Sequence, residues 1–282
     1  MAGDPVLALI FDFDDTLVPD TTTLFLKSRG IDADAFWTEH VAPLVAQGYD
    51  ATLAWLKCFL ALVGEGRPLG LLTNADLTAF GAGLNDRAYS GLPAFFDEIH
   101  GTASGILPNA RVEFYVISGG LRALIDGVPF VQEHFRHVYA CELDEEAGVL
   151  RHIKRAVTFT EKTRYVFEIN KGIAPEQSAK NPYLVNKDVK KDARRVPFAN
   201  MFYTGDGLTD VPCISLIDPP GHAFGVLSQE DESKAKRAFL ELLEPKRVRG
   251  TYFPEFERDK SLGRILHLAV GARCAEIVSR GE

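Results

Sequence analysis

Residues 10–17 of the chain read IFDFDDTL, an apolar run that breaks into three carboxylates within four positions. Asp12 and Asp14 stand two apart, so on extended chain their side chains point the same way. Carboxylates crowded into one small volume repel unless a cation or a proton lies between them. Two further motifs follow apolar runs in the same manner. Ser118 closes VEFYVI and precedes Gly119 and Gly120, whose backbone N–H groups suit an anion. Asp206 follows MFYTG, and Asp210 stands four residues on, within GDGLTD. Singly, a DxD, an SGG or a GDG is ordinarily a turn or a cap. Together, each directly after an apolar run, they describe one site where strand ends meet around a cation and an anionic substrate.

Elements must exist to bring those ends together. VLALIF at 6–11 is continuously apolar, as a strand buried on both faces should be. Further strands are expected at 112–117, 137–141, 201–204, 214–217 and 223–227, with helical patterns such as 121–127 and 162–171 between them. This alternation predicts an α/β fold, a doubly wound, mostly parallel sheet covered on both faces. Such sheets bind ligands beyond the C-terminal ends of their strands, where Asp12 and Asp14 would lie.

Residues 21–100 carry helix-period apolar positions broken by glycines and Pro68, and read as a helical cap inserted after the first strand. Pro93 to Ala103 would form its last helix. The expected division is thus a core of 1–20 and 101–282 and a cap of 21–100. The polar stretch 172–200, with Pro175, Pro182 and Pro197, reads as a loop long enough to need a role in binding or contacts. Ser228 is expected to cap a helix over 229–243, whose acidic residues precede Lys234, Lys236 and Arg237 in keeping with the helix dipole. Pro245 would end it, and 260–279 would form the final helix. The basic then aromatic KRVRGTYFPEF between them is expected to pack on the core.

The bulk composition fits an enzyme-sized globular chain of 282 residues, 46 % hydrophobic and 25 % charged. The formal charge of -8 argues against a nucleic-acid backbone as the main partner. Cys58, Cys141, Cys213 and Cys274 stand far apart with no zinc spacing, and read as free thiols of a reducing compartment. No signal peptide and no apolar stretch of membrane-spanning length is read, so a cytoplasmic protein is expected.

The segments FDFDDTL, YVISGG and YTGDGLTD resemble motifs I, II and IV of the haloacid-dehalogenase-like (HAD) hydrolase superfamily, over about 1–20 and 105–227. HVYACELDEEAGVL followed by VTFTEKTRYVFEINKG is most similar to its phosphoserine-phosphatase-like branch, with Cys141 where that branch often has Asn. The resemblance implies Asp12 as a nucleophile that becomes aspartyl-phosphate and Asp14 as general acid, then base. Dehalogenases of the superfamily lack the second aspartate, so Asp14 favours phosphate chemistry. Thr16 would order the turn and Ser118 would bind a phosphoryl oxygen. Mg²⁺ would be held by Asp12, Asp14 (through its backbone carbonyl), Asp206 and Asp210, hard oxygen donors that suit it. A fixed lysine is also implied. Lys162, opening a helix after VTFTE, matches best, with Lys187, Lys171, Arg194 and Arg195 as alternatives. Asp15 and Asp20 read as turn or supporting residues. The implied activity is a magnesium-dependent phosphomonoester hydrolase acting on a small phosphorylated metabolite. A phosphotransferase or mutase using the same aspartyl-phosphate, and a non-catalytic binding protein on the same scaffold, are the alternatives. No nucleic-acid or membrane partner is implied, and the oligomeric state stays open.

Overall fold

The computed structural model describes residues 4–229 and 231–281. Residues 1–3 and 282 of the expected core, and residue 230 of the expected 229–243 helix, lie outside the described residues. Strand β1 (Val6–Phe11) is buried at every position. Its pleat sends Val6, Ala8 and Ile10 into the apolar layer on one face of the sheet and Leu7, Leu9 and Phe11 into the layer on the other. It lies at the centre of seven strands in the order β4-β3-β2-β1-β5-β6-β7. The others are β2 (Arg111–Leu121), β3 (Phe135–Glu146), β4 (Val149–Arg155), β5 (Met201–Gly205), β6 (His222–Val226) and β7 (Thr251–Tyr252). Every pairing is parallel except β3 with β4. Phe11 is level with Val116 of β2 and with Thr204 of β5. The C-terminal ends of all three strands therefore meet at the same edge, with Asp12 and Asp206 just beyond theirs and Ser118 in the bulged last residues of β2.

Between β1 and β2 the chain runs through helices α1 (Thr21–Ser28), α2 (Ala33–Ala35), α3 (Ala42–Ala46), α4 (Ala51–Ala61), α5 (Asn74–Ala82) and α6 (Ala94–Ile106). Phe25, Leu26, Trp55, Leu56, Phe59 and Leu77 of this helical insertion share an apolar layer with Ile117 of β2 and Tyr139 of β3. α6 instead covers the opposite face, where Phe95, Phe96 and Ile99 meet the last helix, α13 (Ser261–Arg280). Leu262, Leu266, Val270 and Cys274 repeat every four residues along α13, so one stripe is buried. The remaining helices are α7 (Arg122–Asp126), α8 (Pro129–His134), α9 (Phe159–Lys171), α10 (Pro175–Lys180), α11 (Val211–Ile217) and α12 (Glu232–Ala238). Among the described residues no helix is long and apolar enough to cross a membrane.

Several expectations need correction. The segment expected as a strand at 214–217 is helix α11. Pro212 lies in its first turn, and Cys213, Ile214 and Ile217 are buried with helical rather than alternating spacing. The stretch 172–200 is not structureless: it contains α10 and three short 3-10 turns. Arg195 anchors it through Glu113 of β2. The tail helix is shorter at its start, with Asp231 rather than Ser228 as its cap, and continues as a wider turn over Phe239–Leu243. Ser228 instead accepts from the Asp231 N–H at 3.1 Å. β4 was hidden by its charges. As an edge strand it is mostly polar and solvent-facing after Leu150, and it follows Ala147 and Gly148, both at positive φ, in a tight hairpin. In the tail, Val248 and Phe256 are buried and β7 pairs with β6, so the KRVRGTYFPEF stretch packs on the core.

The insertion is fastened at one close crossing. A Cβ on Gly81 of α5 would lie 2.1 Å from the Leu124 carbonyl oxygen of α7, and one on Gly127 would lie 2.1 Å from the Thr78 oxygen. Thr78 Oγ1 donates across the same gap to the Ala123 carbonyl at 3.0 Å. Gly81→Ala should therefore cost about 1–3 kcal/mol through forced separation of the helices. Urea unfolding reads this directly. An unchanged midpoint would contradict the crossing.

Candidate active site

Three strand ends deliver the site. Asp12 follows β1, and its backbone N–H donates to the Thr204 carbonyl of β5 at 2.9 Å. Its Oδ1 accepts from the Phe13 N–H at 2.7 Å. Asp206 follows β5, and Asp210 caps the turn that opens α11. Carboxylate oxygens of Asp12, Asp206 and Asp210 lie within 4.8 Å of one another. Three anions at that spacing demand positive charge, and one lysine answers. Lys162 of α9 donates to Asp12 Oδ2 at 2.7 Å and to Asp210 Oδ1 at 2.8 Å, with only 1 % of its side chain exposed.

The alternatives for that lysine lie elsewhere. Lys171 donates to the Val185 and Lys187 carbonyls at 2.6 and 2.8 Å. Lys187 is exposed. Arg194 binds the Val189 carbonyl at 3.3 Å, and Arg195 pairs with Glu113. Lys162 is held in place by the helix start. Thr158 caps α9 through the Glu161 N–H, and the Lys162 N–H bonds the Thr158 carbonyl at 3.0 Å.

Electrostatics distinguish the carboxyls. Burial works against charge on Lys162, but Asp12 and Asp210 outweigh it and hold the ammonium well above its ordinary value. Burial raises Asp12 to about 6, with Lys162 pulling it down and Asp210 pushing it up. Asp206 is driven far up by burial and then by Asp12, Asp210 and Asp15, against a weaker pull from Lys162. One ammonium thus faces three carboxyls, a deficit that a divalent cation removes. The donors are all hard oxygens, so the residues fit such an ion.

Asp14 stands apart from the three gathered carboxylates. Its Oδ1 accepts from the Thr21 N–H at 2.8 Å, at the start of α1. Burial and then the nearby Asp20 carboxyl push Asp14 up to about 8, so it holds a proton near neutrality. Opposite it, a Cβ on Gly120 would lie 2.5 Å from Asp14 Oδ2. The second glycine after Ser118 is therefore required by this close approach. Ser118 is buried, and its Oγ accepts from the Gly120 N–H at 2.9 Å. Asp15 takes a left-handed backbone (φ 54°) and pairs with Lys234 of α12 at 2.5 Å. Asp20 caps α1 through the Thr23 N–H at 2.6 Å. Thr16 is fully buried.

Three residues escaped sequence reasoning. Tyr203 of β5 donates to Asp210 Oδ1 at 2.7 Å, completing the shell around that oxygen. A tyrosine inside an otherwise apolar strand is the available signal, since its hydroxyl needs a partner when buried. Cys141 gives its thiol hydrogen to the Gly119 carbonyl and accepts from the Val157 N–H, both at 3.2 Å. It thereby ties the bulged end of β2 to the approach of α9. Lys234 reaches Asp15 across 219 residues of sequence, and no local pattern announces it.

No family model matches the chain. A protein of Borreliella burgdorferi, described only as uncharacterized, is 31 % identical over 240 residues, covering 76 % of this chain and 79 % of that protein. Among solved structures, a HAD family hydrolase of Salmonella enterica serovar Typhi matches with a TM-score of 0.58 at 14 % identity, over 94 % of this chain and 72 % of its own. Cytosolic 5'-nucleotidase IIIB bound to cytidine matches at 0.56 and 13 % identity, over 98 % and 88 %. A phospho-aspartyl intermediate analogue of phosphoserine phosphatase matches at 0.52 and 13 % identity, over 94 % and 99 %. At such identities the likeness is one of fold.

The charge deficit sets a prediction. Mg²⁺ should raise the thermal midpoint of the wild type, by mass action on the folded state. Asp206→Asn should be at least as stable as wild type in EDTA, because it removes a carboxyl that burial already disfavours in its charged form. It should lose the response to Mg²⁺. Differential scanning calorimetry with and without EDTA checks both, and a D206N protein that still responds to the ion would contradict the site.

Proposed function

From a chain that belongs to the same family as the B. burgdorferi protein and carries the haloacid-dehalogenase-like hydrolase fold, we infer a magnesium-dependent phosphomonoester hydrolase that works through an aspartyl-phosphate. The observation that carries this reading is the arrangement of Asp12 and Asp14. Asp12 lies among the gathered carboxyls and accepts from Lys162 at 2.7 Å. Asp14 stands outside them, and burial with the nearby Asp20 carboxyl raises it above the usual carboxylate range, which favours its protonated form. A carboxylate held by an ammonium and a carboxyl that tends to keep its proton, two residues apart, are the pair needed to attack phosphorus and to protonate a departing alkoxide.

Asp12 is the proposed nucleophile. Its attack breaks the phosphorus–oxygen bond of the ester, and Asp14 gives its proton to the leaving oxygen. Asp14, now a carboxylate, then takes a proton from the water that hydrolyses the aspartyl-phosphate and restores Asp12. Ser118, at the end of β2, would bind a phosphoryl oxygen, and Lys162 supplies a fixed positive charge beside it. Asp12, Asp206 and the Asp14 backbone carbonyl would hold Mg²⁺, with Asp210 supporting the shell and Lys162. The ion supplies charge neutralisation and alignment of two anions. Splitting the displacement at Asp12 replaces one slow hydrolysis by two easier steps.

The substrate is proposed to be a small phosphorylated metabolite. The 21–100 insertion has few basic residues, which suits a leaving group with little additional phosphate. One structural neighbour is a phosphoserine phosphatase and another was solved with cytidine, so phosphoserine and nucleoside monophosphates head the panel. The four unpaired cysteines fit a reducing, cytoplasmic setting.

Phosphate release from such a panel, with Mg²⁺ and with EDTA, tests the reading. Release should require the ion. Asp12→Asn should abolish it, and Asp14→Asn should slow it by about 10²–10⁴-fold, the range for loss of a general acid. A folded, Mg²⁺-loaded wild type that releases no phosphate, or an active D12N, would overturn it. Added alcohols that capture the phosphoryl group in place of water would favour a phosphotransferase.

A further inference from the structure

The start of α9 carries more than Lys162. The helix runs against the direction of the central strands. Its first turn meets Asp12, beyond the C-terminal end of β1, through Lys162. Its last turn lies near the opposite edge of the sheet. There Asn170 Nδ2 donates to the Val196 carbonyl at 2.7 Å, and Asn200 Nδ2 donates at 3.0 Å to the carbonyl of Val6, the first residue of β1. A step from Lys162 towards the start of α9 therefore leads outwards, away from the strand ends. Phe159 stands three residues before Lys162, about 4.5 Å further out along the axis and about 60° round from it. Residues three apart on a helix are neighbours on one face, so Phe159 is the outer neighbour of the ammonium that meets Asp12 and Asp210. It is 45 % exposed.

A second exposed apolar side chain flanks the same groups. Leu208 lies in the turn between Asp206 and Asp210, a turn that packs against α9, and is 51 % exposed. On the side of the insertion, Thr52 Oγ1 of α4 donates at 3.5 Å to the carbonyl of Val157, which precedes the Thr158 cap of α9, and Leu53 beside it is exposed as well. The charged neighbour Glu161 is taken up by Arg164 at 2.7 Å. Apolar surface left in water beside the reacting groups is surface that a bound molecule can cover favourably. Ligand sites combine such surface with a few placed polar groups.

Direction links these residues to the leaving group. In phosphoryl transfer the attacking and leaving oxygens lie roughly in line. Attack by Asp12 from the end of β1 thus sends the leaving oxygen outwards, to the level at which Phe159 stands. We infer that the leaving alcohol carries an apolar or aromatic portion that packs on Phe159 and Leu208, and that these two residues set specificity. The inference rests on the hydrolase reading and narrows it. Aryl and nucleoside esters rank above phosphoserine, whose leaving group presents an ammonium and a carboxylate.

Phosphonates have no ester bond to cleave, so their binding tests this without turnover. The full chain with Mg²⁺ is titrated calorimetrically with phenylphosphonate and with methylphosphonate. The phenyl compound should bind about tenfold more tightly or better. Phe159→Ala and Leu208→Ala should each lower that preference by about threefold or more, through lost apolar contact, with methylphosphonate affinity little changed. Both side chains are exposed, so the variants should keep the thermal midpoint of the wild type. Phe159→Leu should retain most of the preference. Leu268→Ala removes a comparably exposed apolar residue of α13, 59 % exposed, and should leave the preference intact. Equal affinity for the two phosphonates in the wild type would overturn the inference and leave the hydrolase reading standing. So would a preference untouched in both F159A and L208A, or one lost equally in L268A. A wild type that binds neither phosphonate would remove the phosphate site itself, and both readings would fall together.

Discussion

The structure turns on one buried ammonium. Lys162 is enclosed almost completely and bonded to Asp12 and Asp210. Burying a lysine is costly unless its charge is met by well-placed anions, and removing either side of such an arrangement leaves an uncompensated charge. Three distant parts of the chain must therefore arrive together: the end of β1, the turn after β5, and the start of α9. The pleat of β1 and the parallel registers with β2 and β5 set the first two. The Thr158 cap sets the third. Asp206, whose charge is disfavoured by burial and by its carboxyl neighbours, is the group that a second cation would relieve.

Close backbone approach is the other constraint. Gly120 comes against Asp14, and Gly205 leaves so little room that a Cβ would lie 2.4 Å from Asp210 Oδ2. Each glycine lets main chain sit where a side chain would displace a functional carboxyl. The same economy fastens the insertion, where Gly81 and Gly127 bring α5 and α7 into contact. α7 begins directly after β2, so the insertion is braced against the helix that follows the serine's strand. An insertion braced in this way is held beside the strand end that carries Ser118.

Around this centre the chain adds supports drawn from far away in sequence. Cys141 joins the bulged end of β2 to Val157, Tyr203 steadies Asp210, and Lys234 holds Asp15 in its left-handed turn. Burial keeps the Cys141 thiol protonated, pushed up to about 12, so it is able to donate and accept at once. A neutral, two-way group is suited to linking a carbonyl on one strand end with an N–H on the next. These contacts join the bulged end of β2, the approach to α9 and the loop after β5 around one rim.

Local sequence by itself determined the apolar strands, the carboxylates and serine that follow them, and the glycines that accompany them. The alternation of strand and helix was enough for the α/β class, because burial on two faces leaves an unbroken apolar run. Short apolar runs carry no such guarantee: 214–217 read as a strand and folded as α11, since four residues fit either period and Pro212 with the inward side of the helix decided the matter. The charged edge strand β4 was invisible because its stability comes from pairing with β3 rather than from its own composition. Which lysine enters the site could not be settled from spacing alone. Lys162, Lys171 and Lys187 are alike as residues. Only the tertiary structure, by placing the first turn of α9 over the ends of β1 and β5, gave Lys162 two carboxylates to meet and left the others among carbonyls and solvent. A charge is buried where the fold supplies its counter-charges, and those come from segments that sequence distance keeps apart.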